Sequence, residues 1–565
     1  MSIFDRGTGL KPRRSRFNLS YAKAYDCDMG QLIPSCVRYM VPGDIFNLRQ
    51  EIVVRPKGPL LSPAFAEINV HSYAFFVPLR ILLGSETEDS QGWLEYDIDD
   101  HYFEKFITGC REGNLTLQLP AWQPASNATV VNDNWNGIPA GQAGSNAGDP
   151  NVTVYENGIY SLWDYLEYPI GWSNTDGSPT DPSDVRILDF KRRAYAMIWN
   201  EWFRNQNVMP PVSVLSNEKV LNCCWKMDYF TSMLPWQQRG LVPNVPVTGQ
   251  APVRSGSFLP IASILPRTFT LSSNNGYLGR VTDSGSLVSW AGVSDASPQA
   301  APFYADISSA SNVGFDVNQL RLAFQIQRWQ ELNARCGSRY VEFLKGNFGT
   351  SPTDDTLQRP MFIGGSKSPV IISEVLQTSA DGNEGVGSLA GHSIAADSNR
   401  LTKFRANEYG ILMVLTTIKP KAMYSQGFDK EDTYDNRYLF YNPAFVNLSE
   451  QAVLGYQLFA TGEKSVDEAV IGYQAIFNEL RSATDKVCGA LRPGQSLSYW
   501  VSQRNFGSLP QLNGQFLKCN PNKDIFSVKD EPAWIVMVNN KLTAFRPMPY
   551  IAVPGLIDHL YGERR

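Results

Sequence analysis

The residues that could do chemistry in this chain are few and badly spaced for it. His71, His101, His392 and His559 lie far apart, and no HExxH, GxSxG or phosphate-loop pattern accompanies them. Eight cysteines (Cys27, Cys36, Cys110, Cys223, Cys224, Cys336, Cys488 and Cys519) form no CxxC pair. With so few histidines a zinc centre is not expected, and reduced thiols buried as small hydrophobes are the better reading. Asp97, Asp99 and Asp100 lack the Gly-anchored frame of a calcium loop, so surface solvation accounts for them. Gly385, Gly387 and Gly391 fall in a Gly/Ala/Ser loop without the strand–GxxxxGK–helix context of a phosphate cradle. Glu201, Glu331 and Glu342 stand alone, and sequence cannot show whether carboxylates pair in space. No catalytic residue, metal ligand or cofactor is expected.

Binding chemistry is a different matter. Residues 1–25 carry Arg6, Lys11, Arg13, Arg14 and Arg16 against one acid, Asp5, with Phe17 and Tyr21 close behind. Such a run is either a solvated, mobile terminus or an arm facing nucleic acid, where cations meet phosphates and rings stack on bases. The formal net charge is −5, so any nucleic-acid contact has to be local.

The 565 residues suggest two to four domains by length alone, although β folds with large insertions break that rule. Charged residues make up only 19%, aromatics 12%, and there are 44 Gly and 36 Pro. That is a loop-rich β composition, suited to a surface largely covered by other subunits. Apolar runs such as Ile411 to Leu415 are too short to span a bilayer, and the first residues lack a signal-peptide core, so synthesis in the cytosol without membrane insertion is expected.

The elements follow from pattern and punctuation. Residues 31–41 read as a strand, Pro42-Gly43 as a type II turn, and residues 45–54 as a returning, alternating strand. Ile68 and Val70 alternate with polar neighbours before an all-apolar run at 73–77, which marks a strand buried on both faces. After residue 83 comes a long, partly irregular excursion. Within it, 185–204 predicts a helix with Ile187, Leu188, Ala194, Tyr195, Ile198, Trp199 and Trp202 on one side and Asp189, Arg193, Asn200 and Arg204 on the other. Residues 241–315 contain few charges, and apolar anchors such as Phe258, Ile261 and Phe269 favour an ordered loop over a linker. Asp316 and Gln319 suggest a capping box for a helix to residue 335, whose apolar residues, Trp329 among them, wrap most of its circumference and imply burial by its own barrel or by neighbours. Residues 409–418 read as a buried strand, and 533–545 as a hairpin turning at Asn539-Asn540.

Several of these stretches carry a resemblance. Asp28-Met-Gly-Gln-Leu-Ile-Pro34, Val41-Pro-Gly-Asp44 and Phe75-Phe-Val-Pro78 resemble the start of gokushovirus (Microviridae) major capsid proteins. Ile198-Trp-Asn-Glu-Trp-Phe-Arg-Asn-Gln-Asn207, Asp228-Tyr-Phe-Thr-Ser232, Leu234-Pro-Trp-Gln-Gln-Arg-Gly240 and Glu331-Leu-Asn-Ala-Arg335 continue it in order, with Tyr499-Trp500 a departure from the family's more usual Trp-His. The resemblance implies a mainly β fold: a single eight-stranded antiparallel jelly-roll β-barrel with long loop and helical insertions. It implies an arm at 1–25 and a capsid domain at 26–565, interrupted at about 84–230 and 241–315, the latter an outer protrusion. The implied function is that of a major capsid protein of a small single-stranded-DNA bacteriophage, made in the host cytoplasm. Its copies would form pentamers and then a sixty-copy T = 1 shell around the genome. Small basic DNA-binding proteins, pilot proteins and a host receptor are the further partners implied. Lys11, Arg13, Arg14 and Arg16 become the candidates for facing DNA, and Tyr277, Leu278 and Trp290 for host contact. Trp199, Trp202, Trp236 and Trp329 are the candidates for core or assembly. Two other readings are a phage spike or receptor-binding protein, which repeats or a trimeric stalk would mark, and a carbohydrate-active β enzyme, for which the chemistry is missing.

Overall fold

The computed structural model describes most of residues 14–106, 119–131, 152–169 and 187–240, short strands within 248–314, and most of residues 317–376 and 389–551. Residues 239–331 make one compact unit and the remaining chain another.

The larger unit is mainly β and rests on two antiparallel sheets. Their strands are β1 (Ser15–Asn18), β2 (Tyr21–Cys27), β3 (Ile33–Met40), β4 (Ile45–Pro56), β5 (Ile68–Pro78), β6 (Met361–Pro369), β7 (Ile371–Leu376), β8 (Leu389–Arg405), β9 (Gly410–Pro420) and β10 (Trp534–Arg546). One sheet runs β6–β5–β9–β3. The other runs β10–β4–β8–β7, with β1 and β2 pairing in succession along the outer edge of β10. The predicted turn is present: Gly43 has φ of 89°, and the Asp44 N–H donates to the Val41 carbonyl at 3.0 Å. Only glycine adopts that φ cheaply, which is why the β3–β4 reversal sits there.

Alternation sorts the two sheets. In β4, Phe46, Leu48, Ile52 and Val54 are buried while Asn47, Arg49 and Arg55 are exposed, so this sheet covers the core with one face only. In β9 every residue but Lys419 is buried, and β5 is nearly as enclosed. Those strands are covered twice. Phe46, Leu48, Leu542 and Ala544 pack from the second sheet against Cys36, Ala74, Phe76 and Val414. On the other side, α1 (Phe190–Ile198) brings Tyr195, Ile198 and the adjoining Trp199 into the cluster that holds Phe75, Ile411 and Met413.

Two sequence expectations are corrected. The hairpin expected over 533–545 is one continuous strand, β10, which pairs with β4 from end to end. Asn540 is buried in it, accepting from Gln50 Nε2 at 2.7 Å and donating to the Ser35 carbonyl at 2.9 Å. The amide thus ties the two sheets together and makes no turn. The helix expected over 185–204 starts later: Ile187–Leu188 pairs with Ala121–Trp122 as a short ladder, and α1 begins at Phe190. Its last turn, Trp199–Phe203, widens to a π-helix. Asp189, expected to face outward, is buried, because Arg192 and Arg193 fold back onto it.

In the smaller unit, strands pair outside-in. Thr248–Gln250 joins Ser311–Gly314, Val253–Ser255 joins Phe303–Ala305, and Thr270–Leu271, Leu278–Val281 and Leu287–Ser289 form a three-stranded meander. Helix α2 (Val317–Cys336) follows.

Candidate functional site

The motifs that stand out in the sequence turn out to be joints of the framework. Gly30 has φ of 84°, and a Cβ there would lie 2.0 Å from the Cys519 carbonyl oxygen, so only glycine fits. Beside it, Asp28 is buried against Lys523 Nζ at 2.9 Å and accepts from the Ala533 N–H at 3.0 Å. Burial raises its carboxyl above the usual range despite that pairing. Asp228 closes an Asx turn by accepting from the N–H groups of Phe230 and Thr231 at 3.0 and 2.8 Å, and its other oxygen takes the Tyr424 hydroxyl at 2.7 Å.

The basic arm enters the described residues at Arg14; Lys11 and Arg13 lie outside them. Arg14 and Arg16 are exposed, and Arg16 belongs to β1, opposite Phe545. Phe17 stacks on Tyr550, centroids 5.8 Å apart. Tyr21 is engaged elsewhere, its hydroxyl donating to Glu167 at 3.0 Å with the Arg38 guanidinium over its ring.

The tryptophans divide. Trp199 is buried and donates to the Asn222 carbonyl at 2.9 Å. Trp202, partly buried, donates to the Pro360 carbonyl at 2.9 Å and packs against Phe75 and Phe362. Trp236 is partly buried. Trp329 is 52% exposed, so its own chain does not bury it, contrary to one of the two expectations for this helix. The α2 pattern explains this. Leu320, Ala323, Ile326, Gln330 and Ala334 form the more enclosed side, and Arg321, Leu322, Arg328, Trp329 and Leu332 lie on the exposed one. Near its end, Arg335 pairs with the buried Glu450.

A second exposed surface lies at residues 428–448. Phe428, Tyr438, Phe440, Tyr441 and Leu448 are each more than half exposed. Isolated exposed apolar residues are ordinary, but four rings and a leucine in one short segment mark an interaction surface. Beside them is an open cleft of about 610 Å³ lined by Tyr229, Phe428, Lys430, Glu479 and Lys486, among others. Four of its charges pair off: Lys430 lies 3.6 Å from Glu479, and Lys486 2.5 Å from Asp429.

Of the histidines, only the side chain of His71 is among those described. Burial, with Lys419, Lys367 and Lys226 nearby, lowers its pKa to about 4 and keeps it neutral in the neutral range. Cys27, Cys36, Cys223 and Cys519 are buried free thiols, Cys224 is partly buried and Cys488 exposed. Cys110 and the Cys336 side chain lie outside the described residues, as do Tyr277, Trp290 and the side chain of Leu278.

Residues 8–91 and 170–556 match the family described as capsid protein (F protein). The chain is 27% identical to capsid protein VP1 of Chlamydia phage 1, over 96% of both chains. It is 28% identical to capsid protein VP1 of Bdellovibrio phage phiMH2K, over 96% of this chain and 95% of that protein. A third relative, capsid protein VP1 of Spiroplasma virus 4, is 27% identical over the same shares. These matches bear out the resemblance read from the motifs.

Proposed function

Because the chain belongs to the capsid protein (F protein) family of phages, it is a structural protein of the virion and not an enzyme, and we propose that sixty copies close into a T = 1 icosahedral shell around a single-stranded DNA genome. The family implies a multi-copy shell; the size of the shell, assembly through pentamers and any small basic or pilot proteins belong to this proposal. The observation that carries it is the apolar surface a lone chain leaves uncovered, on the outer side of α2 and along residues 428–448. Copies packed against one another would bury it, as obligate interfaces do. Sedimentation tests this reading: wild-type protein should yield shells or their pentameric precursors under assembly conditions. Trp329→Ala should leave the thermal midpoint of the isolated chain almost unchanged, since the ring is half exposed, and reduce shell yield. A loss of about 2 kcal/mol per contact is typical of a buried interfacial aromatic. Normal shell yield in that variant would remove Trp329 from the interface.

The pairing of the sheets supports the finer fold reading. If β1 and β2 count as one interrupted strand, the sheets offer β6–β5–β9–β3 against β1/β2–β10–β4–β8, eight positions, with β7 extending the end of β8. We read this as a jelly roll spanning 26–565, with an arm at 1–25 and insertions at about 84–230 and 241–315.

The arm is proposed to face the genome. Lys11, Arg13, Arg14 and Arg16 supply up to about four phosphate neutralisations per subunit, independent of sequence. Changing all four to Gln should spare empty-shell assembly and reduce DNA retention, most visibly at raised salt. Equal DNA content in variant and wild-type particles would return the arm to a solvated terminus.

The outside-in strand pairing of 239–331 supports a protrusion, and with it a host-contact role for Tyr277, Leu278 and Trp290. Replacing residues 272–300 by a short Gly/Ser linker should give particles that assemble but adsorb poorly to host cells. Unimpaired adsorption would sink the attachment role, and failed assembly would assign the segment to packing between copies.

A further inference from the structure

The outward face of the second sheet carries a one-sided charge. Alternation along β4 directs Asn47, Arg49 and Glu51 outward, and the ladder sets Thr543, Lys541 and Asn539 of β10 opposite them. On the other flank of β4, Arg405 lies opposite Ile45, Lys403 opposite Asn47, and Arg400 opposite Arg49. Arg400 and Lys403 are three residues apart, a spacing that in a regular strand sends side chains to opposite faces. The register shift between Arg400 and Thr402 supplies the extra residue that returns both to one face. Leu401 and Thr402 are accordingly buried, and Arg400 and Lys403 exposed. β1 completes the face with Arg16 beside Phe545, a ring 44% exposed.

Six exposed cations, Arg16, Arg49, Arg400, Lys403, Arg405 and Lys541, therefore share a patch about 14 Å on a side, from the strand rise and spacing. Glu51 is the carboxylate that this register brings among them, and it pairs with Lys541. One rung reads Lys541–Arg49–Arg400, and with Lys541 held by Glu51 the like charges of Arg49 and Arg400 remain directly opposed across the ladder. Like charges so placed cost stability unless an anion lies across them. The same chain carries a net charge of −5, so this concentration is local and not a by-product of a basic composition.

We infer that this sheet face is a platform for single-stranded nucleic acid, with phosphates on the cationic rungs and a base against Phe545. The inference rests on the reading of the chain as a shell around single-stranded DNA, and it deepens that reading by naming a surface beyond the arm. Arg16 belongs to both, so the arm runs directly onto the platform. An exposed ring amid cations suits a single strand, whose base faces are open to stacking, better than a duplex, whose base faces are hidden.

Binding of a fluorescent oligo-dT to the full-length protein, titrated against NaCl, tests this. Arg49→Gln, Arg400→Gln and Lys403→Gln together should lower the slope of log K on log salt by about 2, at about 0.7 per phosphate contact for single strands. Affinity at fixed salt should fall at least tenfold. A control with the same charge loss elsewhere (Lys345→Gln, Lys464→Gln and Arg492→Gln) should keep the wild-type slope. Equal binding by the two triple variants overturns the inference. So does a sheet variant that binds normally but no longer forms shells, which would make the face a contact between copies. Should the sheet variant not fold, photocrosslinking of bromodeoxyuridine-substituted oligonucleotide to wild-type protein decides. Attachment within β1 or at Phe545 supports the platform, and attachment confined to other segments refutes it. Wild-type protein that binds no oligonucleotide before assembly yet goes on to form shells would refute the platform and leave the capsid reading standing, whereas absence of shells counts against that reading itself.

Discussion

Trp199→Ala is expected to cost about 3–5 kcal/mol, the range for removing a fully buried indole. The ring is 2% exposed, at the junction where α1 widens into its π turn over the first sheet. Its N–H satisfies the Asn222 carbonyl at 2.9 Å, so the deletion also strips a partner from a backbone acceptor. A loss of this size is comparable to the whole stability of many domains, and soluble yield and resistance to proteolysis should collapse before any assembly assay is possible. Trp199→Phe separates the two contributions, keeping most of the ring volume and losing only the hydrogen bond, at about 1–2 kcal/mol. Trp199→Ala with a wild-type melting profile would show that this part of the core is not built as described. The contrast with Trp329→Ala is the point: one ring holds the subunit together, and the other is left for a neighbour.

The second large effect is expected at Asp189. Its carboxylate is 1% exposed and takes two hydrogen bonds from Arg192, at 2.6 and 2.5 Å, and one from Arg193 at 2.7 Å. Arg192 is itself buried and donates onward to the Leu215 carbonyl at 2.5 Å. Asp189→Ala leaves that guanidinium enclosed without its counter-charge, at an expected cost of about 3–5 kcal/mol. Asp189→Ala combined with Arg192→Met should recover much of the loss, because an apolar side chain of similar length needs no partner. Thermal unfolding of the two single variants and the double variant gives the coupling energy, and purely additive effects would show that the pair does not act as a unit.

Asp189 also shows where sequence stopped being informative. A helical wheel sends it outward with Arg193, since charged residues on such a wheel usually meet solvent. Nothing local announces that a loop containing Leu215 and Asn217 closes over the pair. By contrast, β4 and β5 were legible because alternation and continuous apolar runs reflect one-sided and two-sided burial directly. The Pro42-Gly43 reversal was legible because its geometry is set within four residues. Asn539-Asn540 misled for the opposite reason: polar amides suit turns, yet Asn540 is held in mid-strand by Gln50 and Ser35, 490 and 505 residues away. The basic arm could be found from composition. The cationic sheet face could not, because its members come from four segments and one of them needs a bulge to turn the right way. The sequence shows residues 434–445 to be rich in aromatics, but nothing in it separates an outer surface from a core.

The pairing of β4 with β10 also sets a clock on biosynthesis. β4 leaves the ribosome early, and the strand that fills the place beside it is made about 490 residues later. At roughly 5–20 residues per second, that interval is about 25–100 s. For that time each nascent chain presents one side of β4 as an unpaired edge, one face apolar and the other carrying Arg49 and Arg55, while other chains of the same kind are being made nearby. Open edges of this sort recruit foreign strands. Arg49 and Arg55 of β4, joined by Arg400, Lys403 and Arg405 once β8 is made, would then have an earlier task, holding unfinished chains apart by mutual repulsion until each has synthesised its own closing strand.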